Sequence, residues 1–278
     1  MNFFIGLSAG LFGGLIGIGG GVILIPLLTG ILKMKQLNAN GTSIVVIICT
    51  GFSGAATYAL KGSVDLMATI LLASTAMLTA GAGVHYANAL PEWKLKRYFG
   101  AFMLMVTLLL LLKPYLFQIF SPDHVWMKIS TLLLAGAITG FLSGMMGIGG
   151  GVIMVPAMVL FAGVTQHAAQ GTSLLAIVPI GMVGAFNHWR LGNVNTAILP
   201  ALITGTLAGT YLGASFAHIL SELALRILFA AVLLWTGIKH LRAPVKETED
   251  VVNSAIALAK QGDIKELDID NFVHQKKE

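Results

Sequence analysis

The run Gly17-Ile18-Gly19-Gly20-Gly21-Val22-Ile23 returns unchanged as Gly147-Ile148-Gly149-Gly150-Gly151-Val152-Ile153. Each copy interrupts a long apolar segment, and each consecutive glycine destabilises a helix by roughly 1 kcal/mol relative to alanine. The runs are therefore breaks in helices. Shifting the chain against itself by 130 residues leaves ten of the seventeen positions from Gly10 to Pro26 identical. The register then holds without a gap: Gln36 with Gln166, Gly41-Thr42-Ser43 with Gly171-Thr172-Ser173, Gly62 with Gly192, Glu92 with Glu222 and Pro114 with Pro244. This is an internal duplication covering most of the protein.

Every fold must accommodate 56% hydrophobic and 10% charged residues, with a mean hydropathy of +0.85. Soluble domains carry roughly 45–50% apolar and about 25% charged residues. The expected fold class is an all-α integral membrane protein with two homologous repeats of four apolar segments each. These run from Phe3 to Leu32, Ser43 to Leu60, Leu66 to Leu90 and Tyr98 to Phe120, then from Ile129 to Ala162, Thr172 to Trp189, Thr196 to Leu220 and Leu223 to Ile238. Most reach the ~20 residues that cross a ~30 Å hydrocarbon core, and their continuity excludes the alternating strands of a membrane barrel. The expected organisation is repeat 1 over 1–120, repeat 2 over 121–245 and a soluble C-terminal tail over 246–278. In that tail Thr248 offers a helix cap and Gly262 a stop. The first segment carries half of the duplicated motif and no basic leader, so it reads as mature structure rather than a signal peptide.

Two topologies are open for the broken segments: a discontinuous crossing or a re-entrant hairpin. Irregular backbone at membrane depth is tolerated only when buried in protein or lining a wet cavity. If all eight segments cross, the Lys and Arg residues before Lys246 divide six against six. With two hairpins they divide eight against four. Cytoplasmic loops are enriched in these residues, so the count favours hairpins, three crossings per repeat and hence inverted repeats. Both topologies put the two termini on one side, read as cytoplasmic.

The chemistry follows from the breaks. A helix restarting after glycines exposes unsatisfied N–H groups at the positive end of its dipole, an anion site by geometry. Candidate substrate-binding residues are Gly17, Gly19, Gly20 and Gly21 with Gly147, Gly149, Gly150 and Gly151. Thr42, Ser43, Thr172 and Ser173 are candidate hydroxyl donors, or alternatively helix caps. Tyr58 and His188 occupy equivalent positions near span ends, as ligand contacts or as interface anchors. Eight of the twelve acidic residues follow Lys246, and none lies well inside a span, which weakens a cation-carrier reading. His85, His167, His218 and His240 lack zinc-ligand spacing, Cys49 is alone, and no metal or cofactor is expected. The glycine run lacks the final glycine of a dinucleotide fingerprint and no Gly-Lys-Ser/Thr occurs. No nucleophile–base or paired-carboxylate constellation appears in the spans, so neither an enzyme nor a nucleic-acid binder is expected.

Gly14-x-x-Gly17-Ile18-Gly19-Gly20-Gly21 followed by Pro26, its copy from Gly144 to Pro156, and the trailing Gly-Thr-Ser triplets resemble the sulfite exporter TauE/SafE family of bacterial membrane permeases. The resemblance covers about residues 3 to 242. It implies a secondary transporter of the cell inner membrane whose partners are the lipid bilayer and a small sulfur-containing oxyanion such as sulfite or an organosulfonate. A passive anion channel and a membrane scaffold with a partner-recruiting tail are the rival readings. Homo-oligomerisation is left open.

Overall fold

The computed structural model describes residues 1–86, 92–116 and 125–242; the tail over 246–278 lies outside the described residues. The described residues form ten α-helices: α1 (Asn2–Ile16), α2 (Gly21–Gly30), α3 (Gln36–Leu60), α4 (Leu66–Tyr86), α5 (Glu92–Leu116), α6 (Val125–Met146), α7 (Gly151–Phe161), α8 (Gln166–Arg190), α9 (Leu199–Ala217) and α10 (Glu222–Leu241). A single 3-10 turn, Thr196–Ile198, precedes α9, and no strand occurs among the described residues. Among the described residues five helical stretches are long and apolar enough to cross a membrane: Leu37–Leu60, Leu66–Tyr86, Trp126–Met146, Gln166–Arg190 and Thr196–Ala217. Helices suit this role because each satisfies its backbone hydrogen bonds internally, where lipid offers no partner. The surface is correspondingly inverted, with Phe52, Leu78, Leu134, Phe186 and Leu212 each more than half exposed.

Both long segments break at the glycines. Gly17 closes α1 at φ 76°, its N–H bonded to Gly13 O at 2.9 Å, and Gly147 closes α6 in the same way at φ 66°. Gly19 and Gly20 lie at φ 84° and 80°, and Gly149 and Gly150 at 89° and 61°. The motif is thereby explained position by position. The first, third and fourth residues occupy left-handed backbone that only glycine enters without cost, while Ile18 and Ile148 do not and carry side chains. Across each break the chain doubles back. Gly20 lies against the carbonyl of Ala9, and Gly150 against the side chain of Thr139, the residue equivalent to Ala9. At 1.5 Å per residue α1 is about 22 Å long, shorter than the ~30 Å core.

The helices of the two halves interleave. α1 packs along α9 and α6 along α4, while α3 lies against α8 and α5 against α10. Close backbone approach makes the first two pairs. A methyl group on Gly6, Gly10 or Gly14 would collide with the carbonyls of Leu202, Thr206 or Thr210. One on Gly136, Gly140 or Gly144 would meet those of Leu72, Ala76 and Ala80, the equivalent positions. Small residues four apart are the usual means of such contact in lipid.

Several helices start earlier than the apolar segments led us to expect, α5 at Glu92 rather than Tyr98 and α6 at Val125 rather than Ile129, and the start of the second segment of each repeat bears on the site. α3 begins at Gln36, not Ser43, with Lys35 at the cap position, and α8 begins at Gln166 with Thr165 as its cap. Gly41-Thr42-Ser43 and Gly171-Thr172-Ser173 therefore lie inside helices and cap nothing. Gln36, Asn38 and Asn40 depress the local hydropathy, but their helix is already formed.

Candidate site at the crossing of the glycine breaks

The two breaks meet inside the protein, where Ile18, Val22, Ile148 and Val152 are buried. A Cβ on Gly21 would lie 2.6 Å from Ile148 O and 2.8 Å from Gly147 O. One on Gly151 would strike Gly17 O and come within 2.6 Å of Ile18 Cα. The fifth glycine of each motif is thus fixed by the approach of the opposite break. Gly21 and Gly151 pack against the opposite break and Gly149 lies beside Ile18 O, while Gly20 and Gly150 pack within their own halves, against Ala9 and Thr139. α2 and α7 both start here, with Gly20 and Gly150 as caps and no side-chain cap hydrogen bond on either.

Each residue of the Gly-Thr-Ser triplets ties one half to the other. Ser43 Oγ donates to Gly147 O at 3.1 Å, and Ser173 Oγ donates to Gly17 O at 2.5 Å. Thr42 Oγ1 accepts from Asn195 N at 3.0 Å, and Thr172 Oγ1 accepts from Asp65 N at 2.9 Å, Asp65 and Asn195 being equivalent positions. Gly41 lies against Asn193 O and Gly171 against Ser63 O. All four hydroxyls are buried and engaged with backbone, and the serines hold the carbonyls that end α1 and α6.

Removing a hydroxyl that serves a buried carbonyl costs about 1–3 kcal/mol. Ser43→Ala and Ser173→Ala are each expected to lower stability by that amount, read as the thermal unfolding midpoint in detergent. Midpoints equal to wild type would show that these bonds do not hold the breaks.

Tyr58 and His188 are both fully buried, so neither anchors at the membrane interface; Trp189, next in sequence, is 57% exposed and suits that role. Burial follows from their hydrogen bonds. Tyr58 OH lies 3.1 Å from Gly14 O and 2.9 Å from Gln170 Oε1, and donates to this pair. His188 Nε2 lies 3.3 Å from Gly144 O, the position equivalent to Gly14. Both residues therefore grip the last turn of the helix that leads into a break.

Three features were missed at the level of sequence. Gln166 and Gln170 are buried on α8, with Gln170 packed against Gly17. The only signal was the identity of Gln36 and Gln166 at the repeat offset. Ile44, Ile47 and Ile177 form a small apolar cluster of their own. Ile47 and Ile177 both lie within 4 Å of where a Cβ on Gly19 or Gly149 would stand. Finally, Asp65 and Asn195 take part in the cross-links just described.

Among the described residues no group of three or more His, Cys, Asp or Glu is placed to hold a metal ion, and no buried residue is charged. His85 and His218 bond through Nδ1 to carbonyls one turn back, Gly81 O at 2.9 Å and Ala214 O at 2.8 Å. His167 Nε2 lies 3.1 Å from Ala217 O.

The sequence model of the family described as sulfite exporter TauE/SafE matches residues 2–240. The chain is 30% identical to the probable membrane transporter protein YunE of Bacillus subtilis (strain 168), over 84% of this chain and 93% of that one. It is 31% identical to a probable membrane transporter protein of Xylella fastidiosa (strain 9a5c), over 74% and 81%. No solved structure matches the chain.

Proposed function

The chain belongs to the sulfite exporter TauE/SafE family of membrane transporters, and from that premise we propose that it is a secondary carrier of small anions, sulfite or organosulfonates, working by alternating access. One observation carries the reading: two helices without side-chain caps, α2 and α7, begin side by side where the glycine breaks cross. Each helix start presents roughly half a positive elementary charge and unpaired N–H groups. In our reading an anion is held there by Gly19–Gly21 and Gly149–Gly151 once the halves separate. Tyr58, His188 and the Thr42, Ser43, Thr172 and Ser173 hydroxyls come within its reach as their backbone bonds exchange. The absence of buried charge among the described residues suits a weak, releasable grip, since an unpaired buried cation would trap an anion.

The doubling back at Gly20 and Gly150 supports re-entrant hairpins entering from opposite faces, and so inverted repeats with three full crossings each. Inverted repeats with broken helices at their interface are a common basis for alternating access. In this reading the termini lie on the cytoplasmic side of the inner membrane, supported by the excess of Lys and Arg that the hairpin topology places there. The paired Ile47 and Ile177 over the crossing serve as the apolar barrier that keeps the pathway closed.

Purified protein in proteoliposomes is expected to move sulfite saturably, faster when unlabelled sulfite is present on the opposite side. Folded protein that moves neither sulfite nor any sulfonate would refute the reading.

A further inference from the structure

The buried polar atoms of α8 are not all paired. Gln170 is fully buried; its Oε1 accepts from Tyr58 OH, and its Nε2 has no protein partner. Gln166 is 1% exposed, and neither its Nε2 nor its Oε1 has a partner. Four residues apart, the two amides share one helix face, and Ser173 further along it reaches Gly17 O. Gln170 packs its Cβ and Cγ on Gly17 itself, each within 2.7 Å of where a Cβ there would stand. Beside them the His218 ring lies 4.7 Å from that of Tyr58. Its Nδ1 bonds to Ala214 O, and its buried Nε2 has no partner.

The duplicated half repeats this chemistry only in part. Gln36 stands where Gln166 does, but Asn40 stands where Gln170 does, His188 where Tyr58 does and Leu37 where His167 does. The scaffold is therefore met without a glutamine at the second position, and buried amides left unpaired are rare in folded proteins. Their combined inventory is specific: amide N–H donors on Gln166 and Gln170, and two acceptors, Gln166 Oε1 and His218 Nε2 when Nδ1 carries the proton. A bare oxyanion satisfies only the donors.

We propose that Gln166, Gln170 and His218, on the α8 side of the crossing, form a substrate-recognition site for an oxyanion that also carries a hydrogen-bond donor, such as a hydroxy- or amino-sulfonate. The amide N–H groups of Gln166 and Gln170 take the sulfonate oxygens, and Gln166 Oε1 and His218 Nε2 take the hydroxyl or ammonium. Tyr58 orients Gln170 by fixing its Oε1, which turns the amide nitrogen toward the ligand. The assignment rests on the carrier reading above and adds to it the selectivity.

The test compares ethanesulfonate with 2-hydroxyethanesulfonate, which differ by one hydroxyl, as transported substrates of the full chain in proteoliposomes. Sites built to hydrogen-bond a hydroxyl reject analogues that lack it strongly. Wild type is expected to prefer the hydroxylated compound at least tenfold in kcat/KM. Gln166→Met, which removes both a sulfonate donor and a hydroxyl acceptor, is expected to weaken both compounds and to weaken 2-hydroxyethanesulfonate more, bringing the preference under threefold, whereas Gln170→Met is expected to weaken both compounds alike and keep the preference. The wild-type preference needs no variant, so a folding defect in Gln166→Met does not shelter the proposal. Equal transport of both compounds by wild type overturns the site while leaving the carrier reading intact. Transport of neither compound and of no sulfite overturns both.

Discussion

Gly21→Ala is expected to abolish transport while Gly30→Ala leaves it at the wild-type level. The two residues bound the same helix, and neither has a positive φ. They differ in what a methyl group meets: 2.6 Å to Ile148 O at Gly21, and nothing within 4 Å at Gly30. Overpacking of this kind costs typically 1–3 kcal/mol, and here it falls on the contact that joins the two breaks. The alanine would force the crossing apart, and a shift of about 1 Å at a binding geometry can cost a hundredfold in rate. We expect sulfite flux to fall at least thirtyfold, with a lowered unfolding midpoint, and Gly151→Ala to match it because Gly17 O and Ile18 stand in the same relation. Gly62→Ala and Gly192→Ala separate backbone strain from crowding, being at φ 68° and 71° with open space around them. Each is expected to destabilise by about 1–2 kcal/mol and to leave the flux of folded protein within twofold. Wild-type flux in Gly21→Ala would show that the crossing is not the moving centre.

That the runs break their helices was legible, because four glycines in five residues cannot be ordinary helix. Gly17, Gly19 and Gly20 are required by positive φ, and Gly21 by contact with the opposite break, which the structure alone shows. Interleaving was not legible. The glycines at Gly6, Gly10 and Gly14 announce a close neighbour, but small-residue spacing does not say which helix that neighbour is, and it proves to be α9 of the other half. Hydropathy misplaced the start of α3 because it averages over all faces of a helix. It could not register that Asn40 is buried although polar. Gln166 and Gln170 escaped notice for the same reason, since a glutamine at the polar end of a span looks like connector. Tyr58 and His188 resemble interface residues by position, and only their bonds to Gly14 and Gly144 draw them inward.

The pseudo-symmetry has a physical consequence for how the halves move. Ser43 holds Gly147 as Ser173 holds Gly17, and Thr42 holds Asn195 as Thr172 holds Asp65. On the alternating-access reading proposed above, a displacement that loosens one set would tighten its counterpart at similar energy, so the inward- and outward-facing states of that proposal would lie close in free energy. The unequal residues sit beside these matched bonds, glutamine and tyrosine on one side, asparagine and histidine on the other. Recognition can then differ between the two faces while the scaffold remains balanced.

The second large effect is expected at the apolar cluster, where Ile47→Thr combined with Ile177→Thr should convert gated transport into a leak. Ile47 and Ile177 are each 1% exposed, and the Ile47 Cδ1 lies 2.9 Å from where a Cβ on Gly149 would stand. The Ile177 Cδ1 lies 3.1 Å from the corresponding point on Gly19. Isoleucine side chains thus lie over Gly19 and Gly149, and on the carrier reading an apolar constriction of that kind blocks ions by excluding water. A hydroxyl there offers a bond to a charged group, worth about 1.5–3 kcal/mol. Two such bonds lower the barrier by about 3–6 kcal/mol, and each 1.4 kcal/mol is tenfold in rate. Even after losses to imperfect geometry, sulfite efflux from loaded proteoliposomes should rise at least tenfold and lose its stimulation by sulfite on the opposite side. Ile47→Leu with Ile177→Leu conserves volume and apolarity, with repacking costs usually under about 1.5 kcal/mol, and should stay tight. A folded threonine pair as tight as the leucine pair would place the barrier elsewhere on the pathway.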